Sequence, residues 1–146
     1  MRVLIAGDRT WHCPALAAIV VRRLVDRHGL GLVLVLGDGP GVDASFAAAA
    51  RSTGVVAEVH PAARDKLGRR AGPARDAAMV ARGADLCLAF HRFILNSTGT
   101  KDLARRAAAA GIPTWLVEGE DARPTRIWGD DARLAPRVMP GAKARS

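Results

Sequence analysis

Five short apolar runs rich in β-branched residues recur along the chain, and stretches with helical spacing separate them. The runs cover residues 2–6, 32–36, 55–59, 85–90 and 114–117. This alternation is typical of βαβ units around a parallel sheet that helices cover on both faces. Because crossover connections are right-handed, it predicts an α/β fold: a three-layer α/β/α, Rossmann-like, doubly wound sheet of about five strands, with the first and fourth strands adjacent at its centre.

Four helices are predicted between these strands. The first carries apolar residues at helical spacing from Leu16 to Leu24. Glycine just past a helix and proline in its first turn mark the helix boundaries. These boundaries are Gly29 for the end of the first helix, Asp43 and Gly54 for the second, Pro73 and Gly83 for the third, and Gly99 and Gly111 for the fourth.

The composition changes after residue 118. Residues 1–118 carry the alternating pattern and are predicted to form one domain, since 49% of the 146 residues are hydrophobic, which excludes disorder as the default. Residues 119–146 are polar and rich in arginine and proline, with Ile127, Trp128 and Leu134 as their main apolar residues. We therefore expect a basic C-terminal tail that docks on the domain or is partly ordered.

The net charge leaves several partners open. The 22 lysine and arginine residues against 14 aspartate and glutamate residues give a formal +8, which suits nucleic acid, an anionic ligand or a solvated surface. Only 4% of the residues are aromatic and none is tyrosine, whereas single-strand binders combine a basic groove with stacking aromatic residues. No apolar run approaches the ~20 residues of a membrane span, and no signal-peptide pattern is found, so we expect a cytoplasmic protein.

A glycine-rich loop follows the second predicted strand and opens a helix. Backbone N–H groups at such a helix start bind anions, and glycine allows a close backbone approach, so the loop suits a phosphate. The alternative is a tight turn with Asp43 as the helix N-cap. The candidate binding residues here are Gly37, Asp38, Gly39, Gly41 and Asp43.

A second loop, after the fourth predicted strand, also opens a helix. Hydroxyl groups, a glycine and a lysine lie within one turn of the helix start, which makes a second anion-suited site. The alternative is that Ser97 or Thr98 caps the helix, and capping is compatible with binding. The candidate residues are Ser97, Thr98, Gly99, Thr100 and Lys101.

The loop after the first strand adds four candidate residues, Gly7, Asp8, Arg9 and Trp11. Ligands of doubly wound sheets bind beyond the carboxyl ends of the strands, where this loop lies. Trp11 either stacks on a base or ribose there or packs against its own helix. Phe93, Ile94 and Leu95 form an apolar triplet that caps a base, makes a dimer contact or packs locally.

Together these motifs resemble the SLOG superfamily, which joins the DNA-processing protein DprA/Smf to the LOG phosphoribohydrolases. The resemblance covers residues 1–117 and is strongest to the short YspA/YpsA-related branch, which includes phage-borne members. It is carried in chain order by Gly7-Asp8-Arg9-Thr10-Trp11, Gly41-Val42-Asp43, Val59-His60-Pro61-Ala62, Gly72-Pro73-Ala74-Arg75-Asp76, Ala84-Asp85, Ser97-Thr98-Gly99-Thr100-Lys101-Asp102 and Ala110-Gly111-Ile112-Pro113. The resemblance implies a Rossmann-like domain that binds a nucleotide or nucleotide-derived ligand across these loops.

The resemblance also implies which residues would act on a ribosyl linkage. Arg75 matches the catalytic arginine of the LOG hydrolases, but their catalytic glutamate falls at Leu103, which cannot transfer a proton. Asp102 is shorter than glutamate and about 100° away around the helix. Any proton transfer is left to Asp43, Asp76 or Asp102, and the candidate catalytic residues are Arg75, Asp76 and Asp102.

This chain departs from the branch in its charges, because Asp8, Asp38 and Asp76 stand where relatives have neutral groups. Either Arg9, Arg75 and Lys101 compensate for them, or Mg²⁺ bridges the acids and a phosphate, or the ligand is less anionic. No residue is assigned as a metal ligand. The sequence therefore leaves open a nucleotide sensor or an enzyme acting at an N-glycosidic linkage, a DprA-like nucleic-acid binder, and an oligomerising scaffold; relatives suggest a homodimer or a larger homo-oligomer.

Overall fold

The computed structural model describes residues 1–135 of the chain, with every side chain among them except that of Arg64. These residues form one six-stranded sheet with the strand order β3-β2-β1-β4-β5-β6. The first five strands are parallel, and β6 runs antiparallel to β5. The strands are β1 (Arg2–Gly7), β2 (Val33–Gly37), β3 (Val56–His60), β4 (Leu86–Phe90), β5 (Thr114–Val117) and β6 (Thr125–Ile127).

Five α-helices connect the strands. They are α1 (Pro14–His28), α2 (Val42–Thr53), α3 (Arg64–Leu67), α4 (Ala71–Ala81) and α5 (Gly99–Ala109). Alternate residues of β1 point to opposite faces of the sheet, as the pleat requires. Val3 and Ile5 pack with α1 and α2, whereas Leu4 and Ala6 pack with α4 and α5. Two buried apolar cores therefore enclose the sheet, and the expected three-layer, Rossmann-like α/β fold is confirmed.

The central pairing of the sheet was predictable. β1 pairs with β4 over five residues and with β2 on its other side, so the first and fourth strands are adjacent, as expected. All the parallel strands end at the same edge of the sheet, where the loops after β1, β2 and β4 meet. The prediction of about five strands is one short, because β6 is only three residues long and contains Thr125 and Arg126.

The boundary predicted at residue 118 does not coincide with the end of the packed core. Thr125 to Ile127 extend the sheet, with Ile127 opposite Thr114. The side chains of Ile127 and Leu134 are buried in the core on the α4 and α5 face, whereas Trp128 is exposed. Residues 119–135 are therefore part of the domain, and the remainder of the predicted tail, residues 136–146, lies outside the described residues.

The connection from β3 to β4 contains more helix than predicted. The short helix α3 leads through a 3₁₀ turn at Gly68–Arg70 into α4, which begins at Ala71. Pro73 is therefore the third residue of α4 and not its first, a position where the missing N–H still costs no intrahelical hydrogen bond. None of the helices among residues 1–135 is long and apolar enough to cross a membrane.

Candidate functional site

A cleft of about 880 Å³ opens at the carboxyl edge of the sheet. The loops after β1, β2 and β4 form three of its walls, and the first turns of α4 and α5 complete it. Its volume lies within the range of small-molecule sites, and its position is where doubly wound sheets bind their ligands.

The glycine loop after β2 folds back on the carboxylate of Asp43. Helix α2 begins at Val42, so Gly41 takes the N-cap position and Asp43 lies inside the first turn. The predicted N-cap role of Asp43 is therefore wrong. Its Oδ2 instead accepts a hydrogen bond from the backbone N–H of Gly39 at 3.1 Å. The Gly39 amide, which the sequence suggested as a phosphate-binding group, therefore already donates to a carboxylate of the same chain.

Two further glycines of the site are required by close packing between loops. A Cβ at Gly41 would lie 2.5 Å from the carbonyl oxygen of Asp8, and one at Gly7 would overlap the side chain of Val42. The Val42 N–H also donates to the Asp8 carbonyl at 3.1 Å. The loop after β1 and the start of α2 therefore touch through backbone, which explains these glycines without a ligand.

Asp43 is unusually buried for a carboxylate that lines a cleft. It lines the cleft, yet it is only 9% exposed. Burial raises the pKa of Asp43 to about 6, against the opposing effects of the Gly39 amide and the Arg75 guanidinium, which both favour the ionised form. Its Oδ1 accepts no hydrogen bond from the described residues.

Arg75 lies at the centre of the acidic residues. Its Nη1 donates to Asp38 at 3.0 Å, and its Nη2 is 3.4 Å from Asp76. The third nitrogen, Nε, is buried and has no acceptor among the described residues. Of the three compensating cations considered from the sequence, Arg75 is therefore the one that pairs with Asp38 and Asp76.

Asp76 and Asp102 form a carboxyl pair between α4 and α5. Asp76 is 2% exposed, and burial together with the neighbouring Asp102 carboxyl raises its pKa well above its usual range. Asp102 accepts hydrogen bonds from Arg105 at 2.8 Å and from Arg106 at 2.9 Å. Asp102 is thus held by two guanidinium groups beside the Asp76 carboxyl, and the raised pKa of Asp76 lets it keep a proton to a higher pH than an ordinary aspartate.

The helical geometry of α5 does not turn Asp102 away from the cleft. Both Asp102 and Leu103 line it, and Leu103 also packs in the core below. Although Asp102 and Leu103 are about 100° apart around the helix, Asp102 therefore still faces the cleft. The structure brings a carboxylate to the cleft beside the position where the LOG resemblance expected one.

The first turn of α5 supplies the anion-suited end of the cleft. Ser97 Oγ accepts the N–H of Lys101 at 3.2 Å, so Ser97 serves as a capping residue. The N–H groups of Gly99 and Thr100 are left without an acceptor among residues 1–135. These amides, together with the Thr98 and Thr100 side chains, border the cleft at a helix N-terminus, where the backbone favours negative charge.

Lys101 has a structural role that the sequence did not indicate. Its ammonium donates to the carbonyl oxygens of Leu95 at 3.1 Å and Ala135 at 3.2 Å, and so ties two segments of the domain together. Atoms of Lys101 also line the cleft, and its predicted part in compensating the aspartates stays a prediction.

The loop after β1 places Asp8 in the cleft and Trp11 outside it. Asp8 accepts hydrogen bonds from the N–H and hydroxyl of Thr10. Burial raises the pKa of Asp8, but these bonds together with the charges of His91 and Arg92 outweigh it, so the pKa is lowered. Trp11 is 4% exposed and packs in the core of α1 and α2, with the guanidinium of Arg92 5.2 Å from its ring. The assignment of Trp11 to the ligand site is corrected, since its ring packs in the core.

Comparison with known proteins agrees with this fold. The family model of the YspA, cpYpsA-related SLOG family matches residues 1–66. The Gene 61 protein of Mycobacterium phage D29 is 38% identical over 117 residues, which cover 77% of this chain and 92% of that protein. The chain belongs to the YspA, cpYpsA-related SLOG family. The resemblance inferred from the motifs, including its phage-borne branch, is confirmed; no solved structure matches the chain significantly.

The matched residues of this SLOG chain include the loops after β1 and β2 but end before Arg75, Asp76 and Asp102. The family match therefore covers the Asp43 side of the cleft and not the carboxyl pair. The candidate catalytic residues Arg75, Asp76 and Asp102 therefore lie outside the matched region.

Most of the residues predicted for the SLOG site meet in the cleft. Asp38 contacts it only through Arg75, and Gly41 lies behind the wall. Arg69, His91 and Arg105 line the cleft but were not predicted as site residues. His91 directly follows β4, which was the available signal, and Arg105 follows Asp102 by one helical turn. The predicted residues that line it are Gly7, Asp8, Arg9, Gly37, Gly39, Asp43, Arg75, Asp76, Ser97, Thr98, Gly99, Thr100, Lys101 and Asp102.

Within residues 1–135, no group of three or more histidine, cysteine, aspartate or glutamate residues is arranged to hold a metal ion. The acids that distinguish this chain from its branch have protein partners instead. Asp8 binds Thr10, Asp38 binds Arg75, and Asp76 lies between Arg75 and Asp102.

Proposed function

We propose that this SLOG domain binds a nucleotide or nucleotide-derived ligand in the cleft at the carboxyl edge of its sheet. The observation that carries the proposal is the start of α5, where two unpaired backbone amides and two threonine side chains border the cleft. A helix N-terminus of this kind favours a phosphate. Arg9, Arg69 and Arg105 line the same cleft and add positive charge.

The carboxyl pair favours an enzyme acting at a ribosyl linkage over a sensor without chemistry. Cleavage of an N-glycosidic bond is assisted by a proton donor at the leaving base and by a negative charge near the sugar. Asp76 with its raised pKa supplies the first, and Asp102, held by Arg105 and Arg106, supplies the second. Under this proposal Asp76→Asn abolishes base release while ligand binding persists.

The binding proposal is tested by placing a carboxylate at the start of α5. The variant Gly99→Asp suits the test because a Cβ at Gly99 meets no atom within 4 Å, and an acidic residue in the first turn of a helix is tolerated. Gly31→Asp is the matched control, since Gly31 is equally open and lies outside the cleft.

The measurement is calorimetric titration with AMP, ADP and inorganic phosphate, preceded by mass analysis of any nucleotide that co-purifies. Gly99→Asp should weaken phosphate-bearing ligands at least about 5-fold, since a like charge close to phosphate costs about 1 to 4 kcal/mol. Gly31→Asp should leave affinity unchanged.

A labelled single-stranded oligonucleotide, titrated at rising salt, tests the DprA-like alternative. That alternative predicts binding at low salt and a steep loss of affinity as the salt concentration rises.

A further inference from the structure

One face of β4 and β5 is only partly covered by the described residues. On the α4 and α5 side of β4, Cys87 and Ala89 are completely buried. On the α1 side, Leu86 and Leu88 are only half-buried, although β4 lies between β1 and β5 in the middle of the sheet. Parallel strands are normally covered on both faces, so these leucines mark a place where the covering layer is incomplete.

Leu88 belongs to a row of side chains that crosses the sheet. It is the register partner of Trp115, and Trp115 is that of Arg126, so the three side chains point to the same face. The Arg126 guanidinium lies 5.6 Å from the Trp115 ring and 4.3 Å from the ring of Trp128, which is exposed. These four side chains form what we call the open face. Tryptophan and arginine are enriched among the contacts that dominate binding energy in protein interfaces, so the open face has the composition of an interface.

A groove of about 620 Å³ runs between α1 and the open face. The strands line it with apolar side chains, among them Leu88 and Val117, and α1 lines it with Val20 and Arg23. Ile19 lies one turn before Arg23, on the same side of the helix, and is exposed. The apolar surface therefore continues from the sheet onto α1, and a continuous patch of this kind marks an interaction site.

Charges of opposite sign lie at the two ends of the groove. Arg23 and Arg27 outnumber Asp26 in the second half of α1, whereas the loop after β5, residues 118–124, carries three acidic residues against one arginine. Burial raises the pKa of the Cys13 thiol and the charge of Glu120 adds to this, so this loop lies near the start of α1. Within residues 1–135, Arg23, Arg27 and Glu120 form no ion pair.

We propose that the open face and the groove form the interface of a homodimer, in which a second copy of the chain covers them. A two-fold axis that lies parallel to the sheet and perpendicular to α1 reverses the helix direction between the copies. The basic end of α1 in each copy then meets the acidic loop of its partner. An isologous interface uses the same patch on both copies, so a patch with opposite charges at its two ends complements itself.

This interface is separate from the candidate ligand site. Among the described residues, none lines both the cleft and the groove. The dimer therefore leaves the cleft open, and its test needs no nucleotide. A failure of the dimer proposal would leave the proposed function untouched, and the reverse also holds.

The test is sedimentation velocity of the full chain across micromolar concentrations, where the unmodified protein should have twice the mass of one chain. Ile19→Asp places a charge in the apolar part of the interface at an exposed helix position, and should raise the dimer dissociation constant at least about 10-fold. Leu30→Asp is the matched control, because Leu30 is equally exposed and does not line the groove, and it should leave the constant unchanged. Thermal unfolding of each variant shows that it is folded.

Charge reversal tests the arrangement of the two copies. Arg27→Glu and Glu120→Arg should each raise the dissociation constant at least about 5-fold, because like charges then meet at both ends of the dimer. An equimolar mixture of these two variants should form a heterodimer of nearly the original affinity, since opposite charges again face each other at both ends. Arg51→Glu, at an exposed residue of α2 outside the groove, is the control for the loss of positive charge.

Three results would contradict the proposal. A protein that stays monomeric at every concentration has no such interface. A dimer that neither Ile19→Asp nor Arg27→Glu weakens is formed through another surface. Single reversals that weaken the dimer without recovery in the mixture would overturn the two-fold arrangement in which the ends of opposite charge meet.

Discussion

The ammonium group of Lys101 donates a hydrogen bond to the backbone carbonyl of Ala135, 34 residues later in the chain, at 3.2 Å. A second bond, to the Leu95 carbonyl at 3.1 Å, holds the same nitrogen, and the residue is 6% exposed. One buried cation thus connects the loop before α5 to the C-terminal segment of the described domain. The lysine that resembles a phosphate ligand in the sequence is a structural residue in the fold.

Lys101→Met should therefore lower the free energy of unfolding by about 1 to 3 kcal/mol, because two part-buried hydrogen bonds from a charged donor are lost. Lys66→Met, at an exposed position of α3, should change it by less than about 0.5 kcal/mol. Urea denaturation of both variants measures the difference. If Lys101→Met kept full stability and lost phosphate affinity, Lys101 would be a ligand-binding residue after all.

The core on the α4 and α5 face should depend on the segment beyond residue 118. Leu134 is 1% exposed, so Leu134→Ala should destabilise the protein by about 2 to 5 kcal/mol. Leu95→Ala is the matched substitution at a side chain that is 60% exposed, and it should cost less than about 1 kcal/mol. Similar unfolding midpoints for the two variants in urea would show that Leu134 does not belong to the core.

The contact between the end of β1 and the start of α2 can be tested at Gly7. Gly7→Ala would place a methyl group into the side chain of Val42, in a core with no free space, and should cost at least about 1 to 3 kcal/mol. Gly31→Ala adds the same methyl group where nothing lies within 4 Å, and should leave stability unchanged or slightly higher. Chemical denaturation followed by circular dichroism distinguishes them, and equal stability would contradict the packing at Gly7.

Stability should also depend on the protonation of Asp43. Burial raises its pKa from 3.8 to about 6, so the folded protein binds the proton more tightly than the unfolded chain. Its contribution to the free energy of unfolding is therefore most favourable below about pH 4 and is lost as the pH rises through 6. At about 1.4 kcal/mol per pKa unit, the loss reaches roughly 3 kcal/mol by pH 8. Asp76, whose pKa is also raised, acts in the same direction.

The difference in unfolding free energy between Asp43→Asn and the unmodified protein isolates this effect. The variant cannot ionise at residue 43, so its stability relative to the unmodified protein should increase between about pH 4 and pH 6 and level off above about pH 7. Urea denaturation at unit pH intervals measures the trend. A difference that stays constant over this range would show that Asp43 has an ordinary pKa in the folded protein.

The arrangement of the sheet was predictable because its strands are buried on both faces. Such strands are nearly continuous apolar runs, and the predicted bounds of the first strand, residues 2–6, differ from the observed Arg2–Gly7 by one residue. β6 was not predicted because its three residues include Thr125 and Arg126 and so form no apolar run. They become a strand only by pairing with β5. The start of α4 was predicted two residues too late, at Pro73, because the residues before it, Ala71 and Gly72, carry no start signal.

The sequence predicted which loops form the candidate site, but not which side chains contact each other there. Asp76 and Asp102 lie on different helices, and no spacing in the sequence shows that their carboxyl groups meet. The carboxylate of Asp43 could equally have capped α2, and the choice is made by the Gly39 amide four residues earlier. For Trp11 the sequence offered both a ligand contact and a core position, and the close packing of α1 and α2 selects the core.

The two ends of the cleft are chemically unlike. At the start of α5, beside β4, the Gly99 and Thr100 amides have no acceptor among residues 1–135, whereas the carboxylate of Asp43 lies beside β2, on the other side of the central strand. A phosphate-bearing molecule turned end for end would meet that carboxylate, and such a contact at about 4 Å costs about 1 to 4 kcal/mol. Under the proposed function, this difference in charge would fix which way round a phosphate-bearing ligand lies, and such ligands would all present the same face to the carboxyl pair of Asp76 and Asp102.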